Sequence, residues 1–232
     1  MYKRRRAQNS PSPARYTHYV DVRRLVPAAL FLSIFGVTLL HAANPPADRP
    51  VLVCYGDSIT AGLGLEADQA YPAFLQKKLD AAHYDYKVVN QGTSGATTKD
   101  AVAGLPYLLR LHPAIVLVEF GGNDGLRGLP IEASRSNLDQ VISALQNAHV
   151  KVLLAGITLP PDYGPDYIHS FEQMFRDLAA RHRVVLIPML YKDLVHVPGT
   201  IQADGIHPTA KGSAIIAGTI FPVLKPMLRK GP

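Results

Sequence analysis

From residue 51 onward, short apolar runs alternate with stretches in which apolar residues recur every three or four positions. The runs at 51–55, 86–90, 114–120, 150–157 and 184–188 are rich in valine, isoleucine and leucine. Several are nearly continuous, as strands become when both faces of a parallel sheet are covered. Between them, 69–82 carries Phe74, Leu75 and Leu79, and 98–111 carries Ala101, Val102, Leu105, Leu108 and Leu109. The segment 134–148 carries Leu138, Val141, Ile142 and Leu145. Each set forms one stripe on a helix. Two further helices are expected at 166–181 and 209–227, the last kinked or split by Pro222 and Pro226. This alternation predicts one domain, a three-layer α/β/α sandwich around a parallel sheet of about five strands, linked by right-handed crossovers.

The first 43 residues have a different pattern. Lys3, Arg4, Arg5, Arg6, Arg15, Arg23 and Arg24 face a single acidic residue, Asp21, and then the uncharged run LVPAALFLSIFGVTLL occupies 25–40 before His41-Ala42-Ala43. A basic start, an apolar middle and small residues at the end predict an export signal over 1–43. The run is short of the ~20 residues of a membrane span, so an uncleaved anchor is the alternative reading. A proline-rich linker follows at 44–50 (NPPADRP), and the folded domain is expected over 51–232. The chain of 232 residues has a net charge of +6, and the N-terminal segment supplies all of that excess. A basic nucleic-acid-binding face is therefore not expected. Cys54 is the single cysteine, so no intrachain disulfide is available, and its place in an apolar run predicts a buried strand thiol.

In a flavodoxin-like sheet of this kind, functional groups collect at the carboxyl ends of the strands. Ser58 follows the first predicted strand in the sequence YGDSITAG, which is not the G-x-S-x-G elbow. A serine hydroxyl needs a neighbour to accept its proton, and an imidazole can accept it and later return it to the leaving group. His207, in DGIHP just before the last helix, is the candidate base, and Asp204 lies three residues back across a turn permitted by Gly205. Asp204 can fix the tautomer of the imidazole and stabilise its charged form. Three donors suit an oxyanion hole: the N–H of Ser58, the N–H of Gly95 after the second strand, and the side-chain amide of Asn123 after the third. Asp57 and Asp124 read as carboxylates that position their loops through backbone N–H groups. The segment 124–130, DGLRGLP, places Leu126 and Leu129 beside this rim. They are candidate substrate-binding residues on a closing loop, with plain packing as the alternative.

No H-E-x-x-H, paired cysteines or calcium-loop spacing occurs, and His83, His112, His149, His169, His182 and His196 are scattered, so no metal site is expected. Phosphate-cradling glycine loops are missing after the predicted strands, which argues against a nucleotide-binding module.

Taken in order, Y-G-D-S, the glycine of T-S-G-A-T, G-G-N-D and D-G-I-H-P resemble the four blocks of the SGNH (GDSL) hydrolase superfamily. The stretches VLVEFGGNDGLRGLP and ITLPPDYGPDY resemble its periplasmic multifunctional acyl thioesterase, arylesterase and lysophospholipase group. The resemblance implies Ser58 as nucleophile, His207 as base with Asp204, and Ser58, Gly95 and Asn123 as oxyanion donors. The implied activity is hydrolysis of small-molecule acyl esters or thioesters through an acyl-enzyme, without a cofactor, in an exported protein of the periplasm or outside the cell. The chain departs from the pattern at Ile59, where the block has leucine, and at Ala96, where the group often has an acidic residue. The alternatives are a carbohydrate O-acetylesterase on the same machinery and a non-catalytic acyl or lipid binder.

Overall fold

The computed structural model describes residues 49–194 and 196–230. The expected export segment 1–43, and the linker up to residue 48, lie outside the described residues. Five parallel strands, β1 (Val51–Gly56), β2 (Lys87–Gly92), β3 (Pro113–Glu119), β4 (Lys151–Ala155) and β5 (Val185–Ile187), form one sheet in the order β2-β1-β3-β4-β5. The apolar runs account for this order. Leu52–Cys54 of β1, Ile115–Val118 of β3 and Leu153–Ala155 of β4 are fully buried, whereas β2 takes an edge with its residues only partly covered.

Among the described residues, seven α-helices accompany the strands: α1 (Ser58–Ala61), α2 (Tyr71–Ala81), α3 (Thr98–Leu109), α4 (Gly122–Leu126), α5 (Ile131–Asn147), α6 (Pro165–His182) and α7 (Ala210–Leu224). The apolar stripes point inward as their spacing requires: Leu75 and Leu79 on α2, Ala101, Leu105 and Leu108 on α3, and Leu138, Val141, Ile142 and Leu145 on α5 are all buried. Helix α2 packs on α7, and α5 packs on both α3 and α6. The predicted last helix is shorter than 209–227. Pro222 is accommodated within α7, but Pro226 is not, and the chain tightens into a 3₁₀ turn over Lys225–Met227. Two short helices, α1 and α4, had no periodic signal because four or five residues are too few to show one. Both lie at the carboxyl ends of strands, and they hold Ser58 and Asn123.

The strand order 2-1-3-4-5 reverses direction between β1 and β3, where the crevice of a doubly wound sheet opens. Ser58 leaves β1 and Asn123 leaves β3 at that crevice.

Candidate active site

Ser58 opens α1, with Asp57 as its N-cap. Asp57 Oδ1 accepts the Ile59 N–H at 3.0 Å, and Gly62 closes the turn in the left-handed region. The turn holds the Ser58 hydroxyl at the mouth of the crevice. His207 reaches it from a separate loop, built as a small hairpin. Ile201 bridges Pro208, the Gln202 N–H donates to His207 O at 2.8 Å, and the Thr209 N–H donates to Thr200 O at 2.8 Å. His207 Nε2 lies 2.8 Å from Ser58 Oγ, and His207 Nδ1 lies 2.7 Å from Asp204 Oδ2. The Ile206 and His207 N–H groups hold the Asp204 carboxyl down to about 2, with the imidazole adding to them. A carboxylate only accepts, so Nδ1 carries the hydrogen and Nε2 is left to accept the Ser58 proton.

The three residues expected to supply oxyanion donors, Ser58, Gly95 and Asn123, line the same cleft. Gly95 has φ +80°, a conformation that side chains rarely adopt, and among the described residues the N–H groups of Gly95 and Ser58 have no protein acceptor. Asn123 Nδ2 donates to Ala96 O at 2.9 Å, which fixes the plane of the amide. It also approaches Asp57 Oδ2 at 3.2 Å. Both hydrogens of the Asn123 amide are thus engaged, the one toward Asp57 at the longer distance. Ser58, Gly95, Asn123 and His207 all line one cleft of about 670 Å³, whose remaining wall is largely apolar: Leu63, Leu126, Ile157, Leu159, Pro160, Leu194 and Ile206.

Leu126 and Leu129 are separated by the fold. Leu126 ends α4 and lines the cleft. Leu129 does not line it and is 38% exposed. The segment 124–130 is not the single loop its sequence suggests, because its first half is helical. The Gly128 N–H then donates to Gly125 O, and the Leu129 N–H to Asp124 O, both at 2.9 Å. This reversal at the helix end turns Leu129 outward. Tyr163 Oη holds Leu126 O at 2.7 Å, and Tyr167 Oη holds Leu129 O at 3.2 Å, so the segment is tied to the α6 side.

Glu119, which the sequence reading passed over, lies directly behind the nucleophile turn. It ends β3 with no exposure, and its Oε2 accepts from Thr60 Oγ1 at 2.8 Å and from the Asp57 N–H at 3.4 Å. Its Oε1 has no partner among the described residues. Burial pushes the Glu119 carboxyl well above its usual range, and the neighbouring Asp57 charge adds to the effect. Burial likewise raises Asp57, against the pull of the Ile59 N–H. The signal was an acid inside the apolar run VLVEF, where a strand of a covered sheet has no place for an unpaired charge. Cys54 is a buried strand thiol as expected, pushed up to about 12 by desolvation.

Comparison with known proteins bears on this geometry. Residues 54–215 match the model of the GDSL-like Lipase/Acylhydrolase family. The chain is 41% identical to Esterase TesA of Pseudomonas aeruginosa over 86% of its own length and 99% of that protein's. It is 36% identical to Thioesterase 1/protease 1/lysophospholipase L1 of Escherichia coli K12, over 78% of its own length and 86% of that protein's. A crystal structure of TesA superposes with a TM-score of 0.74 at 42% identity, covering 77% of this chain and 99% of that one. A matching family model over most of the folded chain, together with relatives matched over nearly their whole length, means that the chain belongs to the GDSL-like lipase/acylhydrolase family and is an ester hydrolase.

Proposed function

We propose that the chain hydrolyses esters or thioesters of apolar acyl chains, with Ser58 as nucleophile. Ser58 Oγ attacks the acyl carbonyl while His207 Nε2 takes its proton, and Asp204 stabilises the imidazolium that forms. The tetrahedral oxyanion is met by the N–H groups of Ser58 and Gly95 and by the Asn123 amide. Collapse of the intermediate expels the alcohol or thiol, which leaves with the proton held on His207 and vacates the acyl-enzyme. Water, activated by the same imidazole, then releases the acid. The observation that carries the substrate class is the apolar wall of the cleft that opens on Ser58, formed by Leu126, Ile157, Leu159, Leu194 and Ile206. Arylester, acyl-CoA and lysophospholipid leaving groups all fit this reading.

A series of nitrophenyl and CoA esters of increasing acyl length tests it. The specificity constant should rise from acetyl toward medium chains, since each CH₂ buried is worth about 0.8 kcal/mol, or roughly fourfold. Strong activity on acetylated sugars with none on medium-chain esters would reassign the enzyme as a carbohydrate O-acetylesterase. The segment 1–43 we read as an export signal that delivers the domain at 51–232 to the periplasm or the exterior, with retention as an inner-membrane anchor as the alternative. The mass of the protein recovered from a cell-surface or periplasmic fraction decides between cleavage and retention.

A further inference from the structure

Two of the proposed oxyanion donors belong to different segments of the chain. Gly95 lies in the connection between β2 and α3, and Asn123 lies in α4. Nothing in the sheet fixes their separation, because each stands beyond the end of its strand. A set of side-chain bonds from α4 and its capping residue Arg127 does. Asn123 Nδ2 donates to Ala96 O at 2.9 Å, and Arg127 Nη2 donates to Gly95 O at 2.9 Å. Between them, Asp124 takes the first residue of α3 with both oxygens: Oδ2 accepts the Thr98 N–H at 2.9 Å, and Oδ1 accepts Thr98 Oγ1 at 2.6 Å. Ser134 Oγ of α5 adds a third hydrogen bond to Oδ1 at 3.1 Å, and Asn137 Nδ2 donates to Thr98 Oγ1 at 3.0 Å.

The bonds differ in setting. The Arg127 contact is exposed and open to competition by water, whereas Asp124 is 3% exposed and Thr98 is fully buried. A buried, fully engaged polar group is costly to install and holds one geometry closely. Apolar packing would join three helices as firmly, but it would not specify their register within a few tenths of an ångström. Asp124 is adjacent in sequence to Asn123, and Thr98 is three residues beyond Gly95.

We infer that Asp124 is a positioning residue for the oxyanion hole: by gripping Thr98 it sets the Gly95 N–H and the Asn123 amide at the spacing that receives one oxygen atom. It touches no reacting atom and acts through the two donors. The inference rests on the oxyanion role proposed above for Gly95 and Asn123.

The test is steady-state kinetics normalised to active sites titrated with a fluorophosphonate, which separates the competence of each site from the fraction of protein that is folded. Asp124→Ala should lower kcat per titrated site by roughly 10- to 100-fold with KM changed less than about threefold, as expected when donors drift by a fraction of an ångström to 1 Å. Asp124→Asn should recover most of that loss, since its amide oxygen can accept the Thr98 N–H while its NH₂ donates to a hydroxyl that turns to accept. In an Asn123→Ala background, Asp124→Ala should cost far less than it does alone, because one of the donors it positions is already gone. Thr98→Val, which keeps the shape but removes the hydroxyl, covers the case in which Asp124→Ala does not fold, and should lower kcat by about three- to tenfold. A folded Asp124→Ala or Thr98→Val whose kcat per titrated site matches the wild type, with only its melting temperature lowered, overturns the inference and leaves Asp124 as a helix-joining residue. Ser58→Ala, measured alongside, separates the two layers of the argument. Hydrolysis retained in Ser58→Ala removes the underlying site assignment, and the inference with it. An inert Asp124 on an enzyme that needs Ser58 removes the inference alone.

Discussion

Asp57 and Asp204 flank the Ser58–His207 pair, Asp57 as the chain neighbour of Ser58 and Asp204 bonded behind His207, and the protein drives their carboxyls in opposite directions. Asp204 sits on an open loop with its side chain 44% exposed, and the Ile206 and His207 N–H groups hold it down to about 2. Asp57 is buried over Glu119, and desolvation raises it. The difference separates two roles that the same side chain could fill. A group that must stabilise an imidazolium needs to stay charged, and backbone donors on a tight turn keep it so without burying it. A carboxyl packed beside an oxyanion hole would repel the very charge that the hole receives. There burial, with a smaller push from the Asp124 charge, presses Asp57 toward the neutral form, and Asp57 serves as an N-cap and a rest for the Asn123 amide.

The strongest way to break this comparison is to remove the pair it flanks. Ser58→Ala and His207→Ala should each lower turnover by about 10⁴-fold or more, with the double variant scarcely worse than either, because residues that act as one unit do not add. Additive losses would mean that the 2.8 Å contact carries no proton in the reaction. Next in size is Asn123→Ala, expected to lower kcat by about 10²- to 10³-fold with little change in KM, as for other donors that act only on the transition state. A large rise in KM at unchanged kcat would make Asn123 a substrate-binding residue and leave Asp57 with nothing catalytic to support.

Much of this site could be read from the sequence, for a physical reason. Ser58, Gly95, Asn123 and His207 follow strands or precede a helix that apolar periodicity already locates, and a parallel sheet delivers all such positions to one rim. Local spacing placed Asp204 beside His207, since three residues across a glycine turn leave little choice. What the sequence hid depends on packing between distant segments. Glu119 reads as an interruption in an apolar run until the fold puts it under Thr60, and the grip of Asp124 on Thr98 joins residues 26 apart in the chain. Leu126 and Leu129 looked equivalent as neighbours in one loop. The helix that separates them is too short to leave a periodic signature.

That separation gives a smaller effect to measure. Leu126→Ala should lower the specificity constant for decanoyl esters about tenfold more than for acetyl esters, from the loss of contact with roughly two methylenes. Leu129→Ala, outside the cleft, should show a weaker chain-length dependence. Equal losses on both esters in Leu126→Ala would reduce its role to packing.

The smallest effects sharpen the comparison of the carboxyls through stability. A carboxyl raised by burial favours the folded state at low pH and weighs against it as pH rises. Glu119→Gln, which cannot ionise, should therefore gain stability relative to the wild type as pH climbs above the ordinary glutamate value of 4.5. Asp204 is lowered, so its contribution is present above the ordinary value of 3.8 and fades as pH falls toward about 2. Asp204→Asn should fall behind the wild type across that same interval as pH rises, by a modest amount because the group is exposed and screened. Urea unfolding from pH 2 to pH 8 reads both slopes, and slopes of the same sign would contradict the assignment of opposite environments.

Covalent labelling asks directly whether His207 activates Ser58 for attack on an acyl carbonyl. A fluorophosphonate should modify one residue, identified by peptide mass spectrometry as Ser58. His207→Ala should slow the reaction by orders of magnitude while leaving the fold intact. A label on any other residue would remove Ser58 as the nucleophile, and a rate that His207→Ala leaves unchanged would remove His207 as its base.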